Sequence, residues 1–273
     1  MKSIKTKLTL CILLCTFLAS AITEVTSINV TKQATENYAE QNMKMEAQNK
    51  TIELNGWIAC VEQSVDTLSD YVLSEFDADS FFRDKAYADE FTERIQSIIE
   101  DFAVHTDGAI TAYIRYNPDY SNPTSGYFLM RNSLKEDFYT VEPTDFSMYE
   151  PTDLAHVGWY YLPVENKAPL WMSPYLNENV NVYMISYVVP LYAEDGTSIG
   201  IVGMDIDFGQ VTSMVDAVSI YDTGYAFLTD ADGVIMHHKS LNLGQNMADL
   251  GGTTAEIAAK LASGQGEGSL LNY

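Results

Sequence analysis

Residues 182–207 read VYMISYVVPLYAEDGTSIGIVGMDID, and the organisation of this stretch decides the fold. Val182 to Tyr192 and Ser198 to Asp205 carry β-branched and aromatic residues at a period of two, and Glu194-Asp195-Gly196 between them has the chemistry of a tight turn. The stretch is therefore an antiparallel hairpin. Upstream, Ala109 to Tyr116 and Gly126 to Arg131 give the same strand signal, with turns at Asn117-Pro118 and Asn122-Pro123. Before Gly108 the character is helical: all eight prolines fall between Pro118 and Pro190, and Gly56 and Gly108 alone precede Gly126. Tyr87 to Ala103 places Phe91, Ile95, Ile98, Ile99 and Phe102 on one side of a helix that stops at His105-Thr106-Asp107-Gly108. From Lys32 to about Phe76, Met45, Ile52, Trp57, Val61, Val65, Leu68 and Val72 recur close to a 3.6 period. That predicts a rod of roughly 60 Å at 1.5 Å per residue, with two shorter helices broken near Gly56 as the alternative.

Downstream, Phe208 to Ser219 fits a short helix. Gly224 to Thr229 and Val234 to His238 form a second hairpin around Asp230-Ala231-Asp232-Gly233, Thr254 to Ala262 suits a helix, and Leu270-Leu271-Asn272-Tyr273 opens a strand. Two strands and a helix cannot bury both sides of a small sheet, so this last module is expected to be incomplete.

The 273 residues include 38 acidic and 15 basic ones, a formal net charge of −23. Such a surface repels a phosphate backbone and excludes nucleic-acid binding on electrostatic grounds. At 47% hydrophobic and 12% aromatic the chain is too apolar for disorder and long enough for one or two cores. Cys11, Cys15 and Cys60 make neither a disulfide framework nor a cysteine zinc site. Lys2, Lys5 and Lys7 precede an uncharged run from Leu8 to Ile22. This is either a cleaved secretory signal, with Ala19-Ser20-Ala21 as the cleavage site, or an uncleaved signal anchor over 8–28. The anchor is the expected state, because the predicted rod starts beside it. Both readings leave the lysines (1–7) in the cytoplasm and the acidic bulk outside, with the protein at the cell membrane under the second.

No nucleophile elbow, zinc-binding helix, phosphate loop or dinucleotide fingerprint occurs. His237 and His238 are adjacent in a strand and point to opposite faces. Asp230-Ala231-Asp232-Gly233 resembles the opening of a calcium loop, but Leu241 stands where the closing Glu belongs. No active site, metal or cofactor is therefore expected. The denser constellation is Trp159, Tyr160, Tyr161, Trp171, Tyr175, Tyr183, Tyr187 and Tyr192 with Asp205. Ring faces attract ammonium groups and a desolvated Asp supplies a charge-assisted hydrogen bond, so this composition suits a small cationic or amine-bearing ligand.

Trp159-Tyr160-Tyr161, Trp171-Met172-Ser173-Pro174-Tyr175, the strand Tyr183 to Tyr192 and Gly200-Ile201-Val202-Gly203-Met204-Asp205-Ile206-Asp207 together resemble the double Cache (dCache) extracytoplasmic sensor domain of bacterial transmembrane receptors. The run Gly224 to Gly233 is similar to the opening hairpin of that family's membrane-proximal module. The resemblance implies an α+β fold: a long N-terminal helix (32–76), a membrane-distal PAS-like ligand-binding module (77–207) and a membrane-proximal PAS-like module (208–273), both with antiparallel sheets, the second incomplete. It implies a membrane receptor whose output, a chemotaxis signalling module, a histidine kinase or a diguanylate cyclase, lies in the cytoplasm; the outer stripe of the long helix, which needs cover, suggests a homodimer. A secreted solute-binding protein that serves a transporter is the alternative.

Amino-acid-sensing members of the family carry a Tyr, an Arg, a Trp, a second Tyr and an Asp at set spacings. Trp159, Tyr175 and Asp205 match the last three, while Thr152 and Val157 occupy the first Tyr and the Arg positions. Because the Arg clamps the ligand carboxylate and the Asp its amine, the pattern implies an amine or an amino-acid-like ligand held in another way. Arg115 is the substitute clamp available in the distal module. Tyr113, Tyr127, Tyr160, Asn177 and Glu178 complete the expected lining.

Overall fold

The computed structural model describes residues 4–177, 182–220, 224–230 and 232–263. The rod is one continuous helix, α1 (Ile4–Glu75). It runs through Gly56 unbroken, since a single interior glycine costs only about 1 kcal/mol. Trp57, Val61, Val65, Leu68 and Val72 are buried against the rest of the fold. Met45 and Ile52 leave the expected stripe and are exposed, because the five-residue step from Ile52 to Trp57 turns the helix by about 140°. Among the described residues α1 is the one helix long and apolar enough to cross a membrane. The short α2 (Ala78–Arg83) starts on Asp77, whose carboxylate accepts from the Ser80 N–H. The longer α3 (Tyr87–His105) buries Phe91, Ile95 and Ile99.

The main sheet is antiparallel throughout. Its strands are β1 (Ala109–Tyr116), β2 (Gly126–Met130), β3 (Tyr139–Thr140), β4 (Leu170–Trp171), β5 (Tyr175–Asn177), β6 (Val182–Tyr192) and β7 (Ser198–Asp207), in the order β3-β2-β1-β7-β6-β4, with β5 also on the outer edge of β6. Strands β6 and β7 form the expected hairpin. Strand β1 pairs Tyr113 with Phe128 of β2 on one side and with Gly203 of β7 on the other. Alternation along the strands gives the sheet two faces. One carries Ile114, Tyr116, Tyr127, Leu129, Tyr187, Val202 and Met204 into a core with α1 and α3. The other carries Tyr113, Val188 and Ile201, which pack with Phe146, Val157 and Tyr160. Val157 and Tyr160 belong to α4 (Leu154–Asn166), a helix that the sequence pattern did not announce.

Beyond β7 come α5 (Phe208–Asp216), begun by the Asp207 carboxylate accepting from the Gly209 N–H at 2.7 Å, and then β8 (Ser219–Ile220) paired with β9 (Gly224–Tyr225). Ser219 thus belongs to a strand rather than to the end of the helix. The expected strand Gly224 to Thr229 is split, its second part being β10 (Leu228–Thr229), which pairs with β11 (Ile235–His237). Asp230 closes that turn by accepting from the N–H groups of Asp232 and Val234. The last helix is α6 (Gly252–Ala262), and Ala258 packs on Ile235 and Met247. The strand expected at residues 270–273 lies outside the described residues. The architecture is α+β, a long N-terminal helix followed by antiparallel sheets.

Candidate functional site

The face of the sheet turned away from α1 does not close completely over its α4 side. A cavity of about 640 Å³ remains there, and Tyr113, Trp159, Tyr175 and Asp205 all line it. Each of the four comes from a different element: β1, α4, β5 and β7. Asp205 sits beside a register irregularity in the pairing of β1 with β7, between Ala109 and Thr111. Its backbone N–H there donates to the Thr111 hydroxyl at 3.1 Å. Bulges of this kind re-aim a side chain without ending the sheet. The Asp205 carboxylate is 4% exposed and accepts from the Tyr113 hydroxyl at 3.3 Å. Burial raises its pKa above the ordinary carboxylate value, and polar contacts with Ser186, Thr111, Tyr113 and Tyr175 pull the other way. Ser186 is its cross-strand neighbour, fully buried, with a hydroxyl that makes no well-formed hydrogen bond.

The Tyr113 ring is stacked on Phe128, with centroids 5.0 Å apart and planes 4° from parallel, and it meets Trp159 edge-on at 5.4 Å. The indole N–H of Trp159 donates to the His156 carbonyl one turn earlier, at 2.9 Å. That bond fixes the ring and leaves its face and edge as apolar wall. Tyr175 is 38% exposed, and its phenol interacts with the Asp205 carboxylate. Burial and the Asp205 charge push the hydroxyls of both Tyr113 and Tyr175 well above the usual phenol value.

Tyr160, Tyr127 and Arg115, also expected in the lining, lie elsewhere. Tyr160 faces the core and packs on Phe146 and Tyr161 at 4.7 and 4.9 Å. Tyr127 is on the opposite face of the sheet, where its hydroxyl donates to Glu100 at 2.6 Å. Arg115 is fully buried and held by backbone oxygens: Nε donates to Ser125 at 3.2 Å, and Nη2 to Pro123 and Thr144 at 2.9 and 2.7 Å. Its guanidinium lies 4.2 Å from the Phe146 ring centre. Desolvation lowers its pKa to about 10, so it stays charged at neutral pH, but it points into the wall rather than the cavity. Asn177 pairs its backbone with Val182 at the end of β5. Glu178 lies outside the described residues. Val157, at the position of the family's Arg, is buried in the α4 core, and Thr152 is exposed in the preceding turn.

The cavity also takes in residues that the sequence reading did not single out: Phe128 and Met130 from β2, Tyr139 from β3, Val141, Glu142, Thr144 and Tyr149 from the following loop, and Ala155 and His156 from α4. His156 stacks on Tyr149 with ring centres 4.8 Å apart, and its Nδ1 lies 3.0 Å from both carboxylate oxygens of Asp153. Among the described lining residues there is neither Lys nor Arg, and the carboxylates are Asp205 and Glu142.

Comparison with known proteins places this arrangement. The family profile described as methyl-accepting chemotaxis protein-like, first PDC sensor domain, matches residues 95–213. The methyl-accepting chemotaxis protein McpC of Bacillus subtilis (strain 168) is 30% identical over 116 residues, which is 42% of this chain and 17% of McpC. The chain thus spans well under two thirds of that relative. The structure described as methyl-accepting chemotaxis protein X superposes with a TM-score of 0.58 at 16% identity, covering 84% of each chain. The ligand-binding domain of the Campylobacter jejuni chemoreceptor Tlp3, in complex with L-valine, gives 0.55 at 16% identity over 82% of this chain and 84% of that one. Residues 95–213 are therefore similar to the first PDC sensor domain of methyl-accepting chemotaxis proteins, and the chain shares the fold of these chemoreceptor sensor domains.

Proposed function

We propose that this chain is the extracytoplasmic sensing part of a transmembrane receptor, and that it binds a small amine in the cavity between β1, β5, β7 and α4. One observation carries the reading. Asp205, 4% exposed, stands in an aromatic cavity whose described lining residues include no Lys or Arg. A buried carboxylate without a cationic partner is costly, and an ammonium ion among ring faces supplies the missing partner. The Tlp3 domain holds L-valine; here Val157 and the inward-turned Arg115 leave a free α-carboxylate without a bidentate partner, which favours amines over α-amino acids.

The signal would leave the cavity through β6. Ser186 faces Asp205 on one side of that strand, while Tyr187 on the other side donates to Asp66 of α1 at 3.2 Å. Trp171, four residues before Tyr175, donates to Glu62 one turn earlier on α1 at 2.8 Å. Closure of Tyr175 over a ligand therefore pulls on two carboxylates of the helix that leads to the membrane, and a two-state helix displacement carries the response to an output module. The exposed Tyr38, Met45 and Ile52 recur at seven residues on the far side of α1, a seam suited to a second copy of the chain. No catalytic role is assigned to the described residues.

Thermal-shift measurements on the full chain in detergent, against primary amines, α-amino acids and short carboxylates, test the reading. Amines should raise the melting temperature of the wild type and not of Asp205→Asn. A panel in which carboxylates alone stabilise the protein would overturn it.

A further inference from the structure

We propose that the cavity selects a diamine over a monoamine, with Glu142 taking the second ammonium group. This rests on the reading that Asp205 binds an amine, and adds to it the charge at the other side of the same cavity. Glu142 lines the cavity from the loop just after β3, where the Val141 N–H still bonds the Phe128 carbonyl at 2.9 Å. Glu142 is exposed, and among the described residues it has neither an ion pair nor a hydrogen bond. Asp205 lies on β7, and β1 and β2 separate β7 from β3. Asp205 is level with Thr111, Met130 and Tyr139 across the sheet, so three strand spacings of about 4.8 Å and three residues along the strand at about 3.4 Å each put the Asp205 and Glu142 backbones roughly 17 Å apart. Both residues line the same cavity, whose wall also carries the rings of Tyr113, Phe128 and Tyr149. The gap left is one for a short aliphatic chain: its methylenes pack on apolar ring surface and its ends meet the two carboxylates.

The basic side chain in the lining is His156, and its ring already lies against Asp153 at 3.0 Å, so a protonated His156 is matched before any ligand arrives. A ligand with a carboxylate at that end would meet Glu142 without a free cation to offset the repulsion. A second ammonium meets attraction.

The test uses the full chain in detergent, titrated calorimetrically with putrescine, butylamine and 4-aminobutyrate, three molecules with the same four-carbon spacing and different far ends. Putrescine should bind wild type about fivefold more tightly than butylamine, the gain expected of one solvent-exposed ion pair, and that margin should shrink as salt is added. Glu142→Gln should erase the margin, with butylamine affinity falling far less than putrescine affinity, and a melting temperature close to that of wild type shows that the variant is folded. Asp205→Asn should weaken both amines. Equal affinity for putrescine and butylamine in wild type, or a margin that survives Glu142→Gln, would overturn the role of Glu142 while leaving the Asp205 reading intact. Tighter binding of 4-aminobutyrate than of putrescine would overturn it in favour of His156 as a carboxylate partner. Failure of all three to bind would remove the amine reading itself, and this inference with it.

Discussion

Tyr113 donates to Asp205 over 3.3 Å although the two lie 92 residues apart in the chain. The contact exists because Gly203, the register partner of Tyr113 on β7, has no side chain. A Cβ at Gly203 would come within 2.6 Å of the Tyr113 ring, which cannot move aside while it is stacked on Phe128. The floor of the cavity is thus set by a missing methyl group. Gly203→Ala should destabilise the protein by about 1–3 kcal/mol, the usual cost of overpacking, and should weaken amine binding by turning the phenol away from Asp205. Urea denaturation and titration of the same variant check both effects.

Arg115 acts on the cavity from behind. Its guanidinium gathers the carbonyls of Pro123, Ser125 and Thr144, and Thr144 is a wall residue. Arg115→Ala leaves three buried acceptors without a donor and should cost about 3 kcal/mol or more. Arg115→Lys keeps the charge but loses the planar fork and should recover only part of that. Chemical denaturation of the two variants gives the comparison. Equal stability of wild type and Arg115→Ala would show that these bonds contribute nothing net.

Acidification separates stability from binding. Asp205 is raised above 3.8 by burial, so within the window between 3.8 and its folded value the native state holds a proton that the unfolded chain has released. Its contribution to stability therefore grows as pH falls through that window. Amine affinity runs the other way: it is full above the folded pKa of Asp205 and lost as pH falls through it. Titrations across the acidic range should show this loss in wild type, with a midpoint above the ordinary carboxylate value. In Asp205→Asn the affinity should be weak and flat over the same range.

The contacts with α1 should be separable from the cavity. Trp171→Phe removes the 2.8 Å bond to Glu62 while keeping most of the ring packed on Tyr187, 5.0 Å away. A loss of about 1 kcal/mol in stability is expected, with a change in amine affinity of a few fold at most, the reciprocal of the pull that the ligand exerts on that bond. Denaturation and calorimetry on the same sample test the pair of outcomes, and a large fall in affinity would show that edge strand and pocket cannot be uncoupled.

The strands and the long helix were legible because period and turn chemistry are local: Glu194-Asp195-Gly196 fixes a hairpin on its own. Which side of an element faces the cavity was harder to read. Tyr127 and Phe128 are equally aromatic neighbours, and only the pairing of Phe128 with Tyr113 decides that Phe128 meets the cavity while Tyr127 meets α3. Trp159 and Tyr160 divide in the same way, because 100° of helix rotation sends one to the cavity and the next to the core. Helix α4 was hidden by Pro163 inside it, since an interior proline removes a helix hydrogen bond and normally ends the run. The spacing Leu154, Val157, Tyr160, Tyr161 and Val164 behind Asp153 was the available signal. Glu142 and Tyr149 could not be placed at all, because a loop's position depends on the strand pairing around it and not on its own composition, and His156 went unread with the helix that carries it. Arg115 read as a charge in search of a ligand; three backbone carbonyls, invisible in a sequence, turned it inward.

The most direct measurement is a calorimetric titration of butylamine and putrescine into wild type and Asp205→Asn at neutral pH and low salt. If the Asp205 carboxylate grips the ammonium as a buried charge-assisted bond of about 1.5–3 kcal/mol, the substitution should cost tenfold or more in affinity for both amines. Equal affinity in the two proteins would place the ligand somewhere other than between Tyr113, Trp159, Tyr175 and Asp205.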